Sequence, residues 1–158
     1  MLLNDVFSVS RIKLQLEAED KEELFEELVD VLVRSYGIAN RDAVLTAVRE
    51  REAKMSTGIK AGIALPHGKV EGISGVCGVL GISQDGIDYD ALDGKPVYLI
   101  FLLVCSPQGS GLHLKTLNKI AGLLKCSGFC EDIRAASSAE KAHAVLKRYE
   151  EILERNGD

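Results

Sequence analysis

No apolar run in this chain is long enough to cross a bilayer. The longest, Val97 to Cys105, falls far short of the roughly 20 residues a membrane-spanning helix needs. The N-terminus lacks the combination of basic residues, apolar stretch and small-residue cleavage site that marks a secretion signal. An excess of positive charge is missing too. The formal net charge is −5, and nonspecific binding to nucleic acid rests largely on Lys and Arg neutralising phosphates. The four cysteines, Cys77, Cys105, Cys126 and Cys130, show no Cys-x-x-Cys spacing. Two lie in apolar runs typical of buried strands, so they read as reduced structural thiols. Cys126 and Cys130 would approach each other on a helix, but a zinc site there lacks further ligands. Low-complexity linkers and internal repeats are absent. Together these absences point to a cytoplasmic protein without direct membrane insertion.

What is present is the composition of a globular protein able to bury a core, with 46% hydrophobic and 27% charged residues. A length of 158 residues suits one domain, here taken as 1–158 with a core of about 5–153. Asp20 and Glu23 have the form of a helix cap with a reciprocal acidic residue. Leu24, Leu28, Val31 and Leu32 follow at helical spacing, which predicts a helix from about Lys21 to Ser35. A second helix is expected over Arg41 to Glu52, with Val44, Leu45 and Val48 inward. From Ser56 the composition turns to glycine and short β-favouring runs, Ile63 to Leu65 and Val76 to Ile82. Asp85-Gly86 and Asp93-Gly94 read as turns around an extended piece, Ile87 to Tyr89. Val97 to Cys105 reads as a strand covered on both faces.

Beyond a loop at Ser106 to Gly111, Leu114, Leu117, Ala121 and Leu124 set a helix starting close to His113. Ser137 and Glu140 then form a capping box for a long closing helix with Ala142, Val145, Leu146, Tyr149, Ile152 and Leu153 on one stripe. The order helix, helix, strands, helix, helix implies an α/β sandwich, a single domain with a mixed β-sheet flanked by helices.

Only three histidines occur. His67 lies past a short buried strand between Pro66, which fixes φ, and Gly68, which admits a turn. Much of an imidazole is unprotonated near neutral pH, so it suits nucleophilic acceptance of a phosphoryl group. Pro-His-Gly alone is a weak signal that favours a structural turn histidine. His143, between Ala142 and Ala144, has no motif around it and reads as structural.

The wider context is more specific. Glu50-Arg51-Glu52, Ser56-Thr57-Gly58-Ile59 and Gly62-Ile63-Ala64-Leu65-Pro66-His67-Gly68-Lys69 together resemble the phosphorylation-site signature of fructose/mannitol-type IIA domains, including nitrogen-regulatory ones, of the bacterial sugar phosphotransferase system. Gly86 to Tyr89, Leu92 to Val97, Leu102 to Val104 and His113-Leu114 extend the similarity to Ser138. The chain departs from the pattern at Lys60-Ala61, where many relatives carry a polar or Gly-containing pair, and at Gly122 inside a helix.

The resemblance implies that His67 accepts a phosphoryl group from the phosphocarrier HPr or a relative. It would pass the group to a IIB domain of a sugar transporter, or act as a stand-alone regulatory module whose phosphorylation controls binding to other proteins. It matches His113 to a second, supporting histidine; the plainer alternative is a surface histidine capping a helix. It matches Arg51 to an arginine near the site, suited to phosphate oxygens, against a solvated helix-end charge. Thr57 and Ser56 either donate a hydroxyl to the site or shape the turn, and Lys69 is read as a partner contact. No cofactor is implied. A metal site on His67 and His113 lacks a third ligand at a recognisable spacing.

Overall fold

In the computed structural model, which describes residues 1–156, the cap at Asp20 is formed. Residues 157–158, which the sequence assigns to the same domain, lie outside the described residues. The Asp20 side chain accepts from Glu23 N at 2.9 Å and opens α2 (Lys21–Tyr36). Glu23 reaches back to Glu19 N rather than to Asp20 N, one residue beyond a strict capping box. Asn40 caps α3 (Arg41–Lys54), which runs past the expected end at Glu52.

The strands are β1 (Ile12–Lys13), β2 (Gly58–Lys60), β3 (Ile63–Ala64), β4 (His67–Lys69), β5 (Val76–Ile87) and β6 (Val97–Cys105). They form one sheet in the order β1-β5-β6-β3-β2, with β4 also pairing β6. The β5–β6 pair is antiparallel, whereas β1 on β5, and β3 and β4 on β6, run parallel, so the sheet is mixed as expected. Asp85-Gly86 does not turn the chain. It stays within β5 and accompanies a register shift between Ile82 and Ile87, with Gly86 at φ 89°.

Residues of β6 alternate between two cores. Ile100, Leu102 and Val104 pack with α2 and α3, while Leu99, Phe101 and Leu103 face the other helical layer, all buried. That second layer comprises α1 (Leu3–Val6), α4 (Ser110–Lys125), α5 (Phe129–Ala135) and α6 (Ala139–Asn156). The α4 helix begins before His113, after a 3₁₀ turn at Pro107–Gly109. Its inward stripe is His113, Thr116, Ile120 and Leu123 rather than the leucine-rich face read from the sequence, and Leu114 is exposed. Two polar residues on the buried face disguised the true periodicity.

Cys126 ends α4 and Cys130 lies in α5, so the two do not share a helix. Ser138, not Ser137, caps α6 by accepting from Lys141 N at 3.1 Å. Ile152 of the expected inward stripe is exposed, while Glu150 is buried. A side chain at Gly122 would stand 3.3 Å from Leu153 Cδ1, so the helical glycine allows close contact between α4 and α6. At the Lys60-Ala61 departure, Ala61 adopts φ 57°, a left-handed conformation that a glycine would hold without steric cost. Among the described residues, no helix is long and apolar enough to cross a membrane.

Candidate active site

His67 does not merely follow a strand; it starts one. Pro66 O accepts from Leu103 N at 3.0 Å, and Val70 N donates to Cys105 O at 2.8 Å, so β4 is fastened to β6 at both ends. In register, His67 lies beside Leu103, Gly68 beside Val104 and Lys69 beside Cys105. Strand alternation therefore sends His67 and Lys69 toward the α4 layer and Gly68 toward α3. Gly68 serves that approach and not a turn, since an added Cβ would sit 3.0 Å from the Ala47 carbonyl carbon and 3.1 Å from Val48 N.

The strand direction brings His67 against α4, where His113 begins the buried stripe. The two ring centroids are 5.0 Å apart with planes inclined by 46°. His67 Nδ1 lies 2.7 Å from Leu65 O. A carbonyl only accepts, so Nδ1 carries the proton and the lone pair of the neutral ring is on Nε2. The pKa of His67 is lowered, first by burial, with the charges of Arg51 and Lys69 adding to the effect; the Leu65 bond and the Glu52 charge oppose it. His113 is 7% exposed. Burial, then the charges of His67 and Lys69, push its pKa down to about 4. Both rings are thus neutral at physiological pH. His113 Nδ1 is buried without a hydrogen-bond partner, so a proton there would be an orphaned donor, and the ring's N–H belongs on Nε2.

Lys69 Nζ donates to Ser110 Oγ at 2.9 Å, and Ser110 Oγ donates to Pro107 O at 3.1 Å. This ties β4 to the first turn of α4. Arg51 Nη1 donates to Met55 O at 2.8 Å just past the end of α3, while its charge still reaches His67.

Thr57 is placed differently, in a buried polar network around Glu52, whose charge reaches His67. Its hydroxyl donates to Glu52 Oε1 at 2.5 Å and meets Tyr89 Oη at 2.8 Å, and its N–H donates to Glu52 Oε2 at 2.8 Å. Tyr89 Oη also lies 3.0 Å from Glu52 Oε1, and Lys21 Nζ 3.1 Å from Oε2. Burial alone would raise the Glu52 pKa, but hydrogen bonds from Thr57 and Lys21 outweigh it and hold the carboxyl below its ordinary value. Burial drives the Tyr89 hydroxyl far above its usual range, leaving it a firm donor. Glu52 is not among the site residues that the sequence singles out. The signal that could have found it is position: it continues the inward stripe of Val44, Leu45 and Val48, where a carboxylate has no place without partners.

Ser56 shapes the turn, its Oγ accepting from Gly58 N at 3.1 Å. His143 Nε2 lies 2.8 Å from Asn4 O, away from the paired histidines in sequence and on α6. Among the described residues no group of three or more His, Cys, Asp or Glu side chains is arranged to hold a metal ion.

The family model for the phosphoenolpyruvate-dependent sugar phosphotransferase system, EIIA 2, matches residues 5–149. The chain belongs to this EIIA 2 family. It is 30% identical over 150 residues to the fructose-specific EIIABC component of Bacillus subtilis, covering 95% of this chain but only 24% of that protein. The chain therefore spans about a quarter of that relative. It is 32% identical to a nitrogen regulatory protein of Bradyrhizobium diazoefficiens, covering 92% of this chain and 95% of that one. Among solved structures, the nitrogen regulatory protein IIA-Ntr from Neisseria meningitidis superimposes with a TM-score of 0.83 at 34% identity, covering 91% of this chain and 98% of that one. In this EIIA 2 chain the Pro-His-Gly segment is the β4 start, and the second histidine faces it from α4.

Proposed function

We propose that this chain is a cytoplasmic phosphocarrier that takes a phosphoryl group on His67 Nε2 from an HPr-like donor and passes it to a IIB domain. The observation that carries the reading is the pair of neutral rings, His67 held by Leu65 O and His113 packed against it. The Nε2 lone pair attacks the phosphorus of the donor's phosphohistidine, the donor N–P bond breaks, and its electron pair returns to the donor ring. The Nδ1 proton of His67 stays on Nδ1, donated to Leu65 O. His113 supports the moving group by donating from Nε2 to a phosphoryl oxygen. Arg51 contributes positive charge, and Thr57 acts through Glu52 by holding the turn after α3. Such transfer asks mainly for positioning and charge stabilisation.

A second reading, regulation through phosphorylation-dependent binding, is favoured by the similarity to proteins named as nitrogen regulators. The two are compatible, since one phosphoryl group can carry both flux and information. Incubation with phosphoenolpyruvate, enzyme I and HPr should add one acid-labile phosphate to the wild type and none to His67→Ala. Normal labelling of His67→Ala would reject the assignment. Pull-downs comparing wild type with His67→Ala test the regulatory reading, which fails if no partner outside transport components responds to phosphorylation.

A further inference from the structure

We propose that Lys69 binds the phosphoryl group directly, its ammonium moving from Ser110 Oγ to an oxygen of the group on His67. This rests on the phosphocarrier reading above. Lys69 follows His67 by two residues on β4, so the two side chains leave the same face of the strand. Its ammonium is held 2.9 Å from Ser110 Oγ, in the first turn of α4. Ser110 precedes His113 by three residues, a spacing that places side chains on neighbouring positions of a helix surface. Lys69 therefore extends along the gap between the reactive strand and the helix bearing the second histidine.

Charge supports the same assignment. A phosphoryl group on a side chain carries about two negative charges near neutral pH, and neutral His113 offers it one N–H. Arg51 gives one of its donors to Met55 O and supplies one positive charge, to which Lys69 adds a second. The charge of Lys69 acts on both rings, in keeping with its position on the His67 face of β4 and its bond to the first turn of α4. Before transfer it disfavours protonation of His67 and so preserves the lone pair. After transfer it faces an anion, and the hydrogen bond to a neutral hydroxyl gives way to a stronger charge-assisted one. No bond to Lys69 forms or breaks beyond this exchange of hydrogen bonds.

The test uses the full chain with phosphorylated HPr as donor. Lys69→Gln, Lys69→Arg and Lys115→Gln, the last an exposed lysine elsewhere on α4, are compared in single-turnover transfer over a range of donor concentrations. Lys69→Gln should slow the transfer step at saturating donor about tenfold or more. Lys69→Arg should restore most of the rate, and Lys115→Gln should match the wild type. Phosphorus NMR of the phosphorylated proteins gives an independent readout: loss of Lys69 should raise the pH at which the phosphoryl oxygens titrate. An effect confined to the donor concentration needed for half-maximal rate, with an unchanged phosphorus titration, would show that Lys69 only docks the partner and would overturn the proposal. Failure of the wild type to label at His67 would instead overturn the phosphocarrier reading.

Discussion

At the scale of single residues, two histidines far apart in sequence are made neutral by one shared burial. For His113 the unfolded ring takes up a proton near 6.5 and the folded ring only near about 4. Between these values the unfolded state binds more protons, so stability is complete above about pH 6.5 and falls as pH drops through that window. The shift corresponds to roughly 3 kcal/mol between protonation states. Urea unfolding of the wild type between pH 7 and pH 4 should show this loss, and His113→Gln should flatten it. An equally steep loss in the variant would rule His113 out as the source. The pairing of His67 with His113 was expected from the resemblance that their contexts carry, and the structure brings the two rings together. Glu52 was not legible, because a buried carboxylate looks like a surface one until Thr57, Tyr89 and Lys21 are seen around it.

At the scale of elements, legibility follows length together with pattern, since α4 is long but its buried His113 and Thr116 hide its inward face. The α2 and α3 helices are long enough to display a period and β6 to display an unbroken apolar run, whereas α1, β1, β4 and α5 are too short for either. The position of β4 depends instead on pairing with β6 and on the close approach of α3. Gly68→Ala should therefore push β4 from Ala47 and Val48, lowering stability by about 1–3 kcal/mol. It should also slow phosphorylation of His67, although no reactive group is removed. Thermal unfolding combined with a transfer assay checks both effects. Unchanged stability and rate would mean that α3 yields without moving the strand.

At the scale of the whole molecule, the strand order could not be read because pairing of β1 with β5, or β4 with β6, is set by contacts distant in sequence. The same holds for the joining of the two ends. Buried Glu150 on α6 accepts from Leu3 N at 2.6 Å and from Asn4 N at 2.9 Å. Nearby on α6, His143 bonds Asn4 O. Glu150→Ala leaves these N–H groups without their acceptor, and each unsatisfied buried group costs about 1–3 kcal/mol. Hydrogen exchange at Leu3 and Asn4 should accelerate while the amides of β6 stay protected. Unaltered exchange at Leu3 would show that the clasp is dispensable.

The carbonyl of Leu65 has a consequence for how the relay responds to its surroundings. In the proposed transfer it keeps the Nδ1 proton in place, so the His67 ring would neither release nor take up a proton when the phosphoryl group arrives. Over the range in which that ring is neutral, any dependence of the proposed loading on acidity arises in the phosphoryl oxygens and not in the imidazole.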